Sequence, residues 1–144
     1  MENEKTIEVP KIIFKFPTLR ERFVGVILDN MTILLCFLIV SYISNEIIEI
    51  STNVKPFIFF GLLFLYEPIM TTFSCTIGQL FMGFRIRKIN DENSKINLFQ
   101  GFVRLLLKYS LGWLSFLTVT FNEKNRAIHD FVSGTIAINK SELK

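Results

Sequence analysis

The sequence predicts an all-α membrane protein: two transmembrane helices, a third membrane-associated helical segment and a small cytoplasmic β-hairpin. Three observations lead there. Phe23 to Ile43 and Phe57 to Thr76 are mostly apolar runs of about 20 residues, long enough to cross a bilayer as helices. Half of the 144 residues are hydrophobic and 16 are Phe, a composition that a soluble domain of this size rarely carries. The basic residues flank the apolar runs behind a modest net charge of +3, which argues for membrane orientation and against nucleic-acid binding. The length suits one compact membrane domain.

Residues 1–21 form a polar segment in which Lys5, Lys11, Lys15 and Arg20 stand against Glu2, Glu4, Glu8 and Glu21. Pro10 and Pro17 discourage a long helix there. The run that follows is too long and too far in for a signal peptide, and it carries Asp29, so no cleaved leader is expected. Thr18 is placed to cap the first helix, with Glu21 completing a capping box, and the helix is expected over about 20–43. Arg22 and Asp29 are seven residues apart, on nearly one helix face and ~10 Å apart along the axis. A carboxylate at that depth costs on the order of 2.5–3.5 kcal/mol, so it must face a partner or a polar cavity. The alternative is an interfacial Asp that snorkels to water.

The first connection, Ser44 to Pro56, holds Glu46 and Glu49 against Lys55 alone, and Ile47, Ile48 and Ile50 give it apolar surface to lie along the interface. The second helix, expected over about 57–76, carries Glu67 and Pro68 near its middle. Proline there removes a helix hydrogen bond and allows a kink beside the carboxylate. Glu67 is either a second functional acid at membrane depth or a protonated group hydrogen-bonded to a neighbouring helix for packing. Cys36 and Cys75 lie in or at the ends of apolar runs, outside any Cys-x-x-Cys, and imply no disulfide or metal framework.

The loop 77–97 is rich in cations (Arg85, Arg87, Lys88, Lys95), which places it and the N-terminus in the cytoplasm. Gly83 to Asn90 alternates apolar and basic residues, Asp91 to Ser94 is turn chemistry, and Lys95 to Leu98 alternates again. That pattern predicts the hairpin, its basic side chains resting on anionic headgroups. The third membrane segment, 98–121, carries Gln100, Arg104 and Lys108 every four residues, a polar stripe suited to a helix in the interface plane. Gly112 and Trp113 mark a break, so an interfacial helix followed by a short re-entrant or tilted piece is expected. A plain third span is the alternative, with Arg104 and Lys108 snorkelling. In the tail, 122–140, Gly134 marks a turn and Thr135 to Asn139 a strand able to join the hairpin. His129-Asp130 is either a proton relay, since His titrates near neutral pH, or a structural cap.

Together these residues resemble the bacterial RDD family of membrane proteins, named for one arginine and two aspartates. Arg22 and Asp29 stand where the family has its arginine and first aspartate. The family block Gly-Gln-Thr-x-Gly-Lys-x-x-x-Gly-x-x-Val is matched by Ser74 to Ile86, keeping Thr76, Gly78 and Gly83; Ser74-Cys75 replaces Gly-Gln and Gln79 replaces the lysine. Arg104 matches the basic residue opening the third membrane segment. His129-Asp130-Phe-Val-Ser-Gly134-Thr135 keeps the closing pattern, with Asp130 as the second aspartate. The resemblance covers residues 22 to 138 and implies an RDD-type membrane domain over 22–140. It also implies a multi-pass protein of the bacterial inner membrane with a cytoplasmic N-terminus.

Some members of that family are proposed cation/proton antiporters. Transport here would use Asp29 and Glu67 as intramembrane carboxylates, with His129 near the path and Arg22 biasing Asp29. So few spans cannot enclose a pathway alone, so transport implies a homo-oligomer or another membrane protein as partner. The alternative is a membrane-anchored assembly module in which Arg22, Asp29 and Asp130 form a structural charge network locking the tail to the first helix. An enzyme is not expected, nor is a cofactor or metal: the sequence has no nucleophile–base pair, phosphate loop or metal-ligand spacing.

Overall fold

Thr18 starts the first helix: its amide donates to Glu21 Oε2 at 2.7 Å, and the Glu21 amide donates to Thr18 Oγ1 at 3.3 Å. Both halves of the expected capping box form. The structure, a computed structural model, describes residues 15–46 and 50–142. Expectations for residues 1–14, and for Ile47, Ile48 and Glu49, lie outside the described residues. The elements run α1 (Leu19–Glu46), α2 (Lys55–Phe73), α3 (Ile77–Phe81), β1 (Phe84–Lys88), α4 (Leu98–Leu111), a 3₁₀ segment (Gly112–Val119), α5 (Ile128–Val132), β2 (Thr135–Asn139) and a closing 3₁₀ turn (Lys140–Glu142).

Three helical stretches, Leu19–Asn45, Lys55–Phe73 and Leu98–Val119, are long and apolar enough to cross a membrane. The first two are antiparallel: Asp29 lies beside Tyr66, and Phe37 meets Phe59 edge-on with centroids 4.9 Å apart. Their outward side chains are large and apolar, including Met31, Leu35, Leu38, Phe57 and Phe60, whereas Arg22, Asp29, Glu67, Arg104 and Asp130 are buried. Apolar outside and charged inside is the arrangement of helices solvated by lipid.

α4 follows the same rule and corrects the expected direction of its polar stripe. Gln100 donates to the Ser133 carbonyl at 3.0 Å, Arg104 bonds Asp130 and Thr135, and Lys108 bonds Glu67. Leu98, Phe99, Leu106 and Tyr109 face outward instead. The stripe points into the protein because the acids that neutralise it are there. The break at Gly112 is present: its φ of +54° ends α4, and the chain continues as 3₁₀ turns. Phe116 and Val119 then pack on Ala127 and against Val26 of α1, while Thr118 donates to the Arg126 carbonyl at 2.9 Å.

The two-stranded sheet is antiparallel but is not the predicted hairpin. β1 pairs with β2 from the tail, Ile86 opposite Ala137 at the centre. The Asp91–Ser94 turn forms, with the Lys88 amide donating to the Ser94 carbonyl at 3.2 Å, yet the chain leaves it without a strand. Ile96 is drawn into the core with Phe84, Ile86 and Ala137, and Asn97 caps α4 by accepting from the Gln100 amide at 2.8 Å. A residue cannot cap a helix and extend a ladder at once.

Two short units are built alike. Each five-residue helix, α3 or α5, starts at an extended residue (Thr76, Ala127) and ends at a residue with φ near −82° (Met82, Ser133). Each then turns on a positive-φ glycine, Gly83 at +71° or Gly134 at +65°, into a five-residue strand. Gln79 and Asp130, both third in their helices, accept from the Thr76 and Ala127 amides at 3.4 and 3.2 Å. Because the strands pair antiparallel, a local two-fold relates the units.

α3 lies against α1 with almost no separation. A Cβ on Gly78 would overlap the Gly25 carbonyl, whereas one on Gly61 of α2 would meet nothing within 4 Å. Gly78→Ala should therefore lose on the order of 3 kcal/mol or more of stability, read as a fall in thermal unfolding temperature in mild detergent. Gly61→Ala should be neutral or slightly stabilising. Equal stability of the two variants would contradict the close approach.

Candidate functional site

Asp130 is third in α5 and fully buried, 0% exposed. Arg22 Nη1 of α1 donates to its Oδ2 at 2.5 Å, Arg104 Nη1 of α4 donates to its Oδ1, and the Ala127 amide donates to Oδ2. Burial alone would raise the Asp130 pKa, but the Arg104 and Arg22 guanidiniums outweigh it and hold the carboxyl below the ordinary range. Arg104 also donates to Thr135 Oγ1 at 2.7 Å, tying the start of β2 to the same point. Arg126 closes the outside, donating to the Thr135 and Asp130 carbonyls and stacking 4.0 Å from the Phe131 ring centre.

His129 is buried beside this cluster, its Nε2 3.5 Å from Asp130 Oδ1 and its Nδ1 3.1 Å from Ser115 Oγ. Desolvation holds its pKa well below 6.5; Asp130 opposes the shift, and Arg104, Lys108 and Arg22 add to it. The ring is neutral at pH 7. Nε2–H then points to Asp130, and Nδ1 accepts from the Ser115 hydroxyl.

Asp29 is held separately. Tyr66 Oη donates to its Oδ1 at 3.1 Å, the Gly78 amide to Oδ1 at 2.7 Å and Thr76 Oγ1 to Oδ2 at 2.7 Å. Tyr66 Oη also accepts from the Ile77 amide at 3.0 Å. A carboxylate on α1 thus ties down the otherwise unpaired first amides of α3. Gly78 is bare so that its amide can come this close. Glu67 of α2 pairs with Lys108 Nζ at 2.6 Å, and below it Pro68 meets Gly101 of α4 closely enough that a Cβ there would stand 3.1 Å from the Pro68 Cα.

Asp29, Glu67 and Lys108 line a cavity of about 230 Å³ bounded by α1, α2, α4 and the 3₁₀ segment, with Tyr66, Tyr109 and Trp113 among its walls. Asp29 and Lys108 also wall a smaller cavity of about 20 Å³ that reaches Arg22, Arg104 and His129. The two cavities, both mostly apolar in their walls, share Val26, Asp29, Lys108 and Phe116.

The family model for RDD proteins matches residues 16–134. The chain belongs to the RDD family. None of the curated proteins and none of the solved structures matches it.

The three residues expected to form one charge network, Arg22, Asp29 and Asp130, fall into two groups with no hydrogen bond between them. Arg22 and Asp130 bond directly; Asp29, expected on nearly the same helix face as Arg22, bonds Thr76 and α3 instead. The seven-residue rise carries the two α1 side chains to different floors: Arg22 reaches α5, and Asp29 reaches Thr76 and Gly78. Arg104, Thr135 and the turn at Gly134 gather around Asp130, while Gly83 makes the matching turn after α3. Gln79, where the RDD block has lysine, accepts from the Thr76 amide and walls the smaller cavity. Tyr66, Ser115 and Arg126 carried no signal in the sequence. Lys108 did, since its place four residues after Arg104 sets both on one face.

Removing the Asp130 charge leaves two buried guanidiniums without a counter-ion, so Asp130→Asn should cost about 3–5 kcal/mol, visible as loss of folded protein in detergent. The pH dependence has a definite sign. His129 and Asp130 both have folded pKa values below their unfolded ones, so their contribution is whole above pH 6.5 and declines on acidification. The unfolding temperature should fall between pH 7 and pH 5 as only the unfolded His129 takes up a proton. His129→Gln should flatten that fall.

Proposed function

We propose that this RDD protein is a multi-pass membrane protein that exchanges a monovalent cation for protons, as an oligomer, through the space shared by Asp29 and Glu67. One observation carries the reading: Asp29 and Glu67, the carboxylates within the apolar runs of α1 and α2, line a single cavity of about 230 Å³. Exchange follows from carboxylate chemistry, because a site that takes a proton or a cation, but not both, couples the two flows. Lys108 is an internal cation resting on Glu67, and an incoming cation or proton displaces it. All three helical stretches wall the cavity, but so few cannot enclose a path across a membrane alone, hence the oligomer.

Sidedness is read from charge. Lys15, Arg20, Arg85, Lys88, Lys95, Lys124, Arg126 and Lys140 cluster at the sheet end, against Lys55 at the other, so the sheet and the N-terminus face the cytoplasm. α4 has 14 residues, about 21 Å of helix against a hydrocarbon core of about 30 Å. With the 3₁₀ segment packing back on Val26 and Ala127, this supports a segment that enters and returns on one side, beside two full spans.

A second reading has its own support. The oxygens of Asp29 and Asp130 are already filled by donors within the chain, which suits a membrane-anchored assembly module whose charges hold its own fold together.

The test is dissipation of a pH gradient in everted membrane vesicles on adding Na⁺, Li⁺ or K⁺, comparing wild type with Asp29→Asn and Glu67→Gln at matched amounts of folded protein. Cation-dependent dissipation that both substitutions abolish is the expected result. No response from folded wild type removes exchange of these ions and leaves the assembly module.

A further inference from the structure

The Asp130 cluster has an excess of positive charge. Arg22 and Arg104 bring two guanidiniums to one carboxylate, Lys108 is taken up by Glu67, and only 3% of either arginine is exposed. Arg22 Nε and Nη2 and Arg104 Nε are buried with no hydrogen-bond partner among the described residues. Both arginines wall the cavity of about 20 Å³ together with Asp29, Gln79, Lys108 and His129. That volume admits one particle the size of a water or a halide ion.

We propose that this cavity is a binding site for a single small monovalent inorganic anion of the size of chloride. The unused polar atoms of the two arginines are all donors. A water offers lone pairs but also brings two hydrogens needing acceptors, whereas a halide only accepts. Arg22 and Arg104 exceed Asp130 by one unit and Asp29 on the cavity wall offsets it, so the three unused donors, not a net charge, carry the site. Polyatomic anions are too large for the space.

Asp29 is the one carboxylate on the cavity wall, and its oxygens are turned to Tyr66, Thr76 and Gly78. Its charge opposes an anion across the cavity, so occupancy and the Asp29 charge are coupled: neutralising Asp29 tightens the site. This coupling does not depend on cation exchange, and the binding measurement stands whether or not flux is found.

The experiment is thermal unfolding of the purified full chain in mild detergent at fixed Na⁺ concentration and ionic strength, with gluconate replaced stepwise by chloride or bromide. The expected result is a saturable rise in unfolding temperature with both halides. Asp29→Asn should reach half-saturation at on the order of tenfold lower halide. Arg22→Lys, which keeps a cation for Asp130 but has no Nε or second Nη to hold an anion beside it, should lose the halide response; if it does not fold, Arg104→Lys serves in its place. Equal behaviour of wild type in chloride and gluconate overturns the proposal and leaves the cavity to water. So does a halide response that survives in the folded arginine variants, or one that weakens in Asp29→Asn.

Discussion

Two arginines from distant parts of the chain share one carboxylate, and most of the architecture hangs on that pairing. Arg22 belongs to α1, Arg104 to α4 and Asp130 to α5, and Arg104 reaches on to Thr135 at the head of β2. Four elements meet at one point excluded from solvent. Charges so placed add little to stability compared with an apolar core of the same volume, because desolvation offsets much of their attraction. What they impose is selectivity: any packing that separates one of the three leaves an unneutralised ion in a medium that cannot solvate it. In a lipid-solvated protein, where apolar surfaces gain little by meeting one another, such constraints choose the arrangement.

Backbone contact supplies the rest. Gly78 against Gly25 and Gly101 against Pro68 are two places where helix backbones come together at a glycine. The first brings an amide onto Asp29, and the second leaves Lys108 beside Glu67. Each close approach thus sits next to an intramembrane carboxylate, and packing and polar geometry are one device. Asp29, Glu67 and Lys108, next to these approaches, wall the cavity of about 230 Å³.

The long helices were legible because length and apolarity alone define them, and Thr18 with Glu21 marked where the first begins. α3 and α5 were not, since five residues are too few to show a period. The partner of β1 was misplaced because local alternation at Lys95 to Leu98 competes with a strand from the tail, and only Ile96 entering the core and Asn97 capping α4 decide it. The kinship of the two helix–glycine–strand units was hidden too: of the stretches from Thr76 and Ala127, only Ile77 with Ile128 and Gly83 with Gly134 agree in type before the strands. Within the candidate site, Arg22, Asp29, Glu67 and Asp130 stood out as charges amid apolar or turn residues. Their pairing did not, because helical spacing says which side chains share a face and nothing about which distant element comes to meet it.

Arg22 and Asp130 are separated by 108 positions in the chain. Synthesis proceeds from the N-terminus, so Arg22 and later Arg104 emerge well before the carboxylate they share. Through most of that synthesis Arg22 lacks its neutraliser, Arg104 joins it 26 positions before Asp130, and β1 waits with an unpaired edge for the same tail. Maturation therefore waits for α5 and β2, which bring Asp130 to the two arginines and a partner strand to β1. A chain interrupted before α5 keeps the three long apolar helical stretches of the described residues yet lacks the carboxylate that joins Arg22 to Arg104.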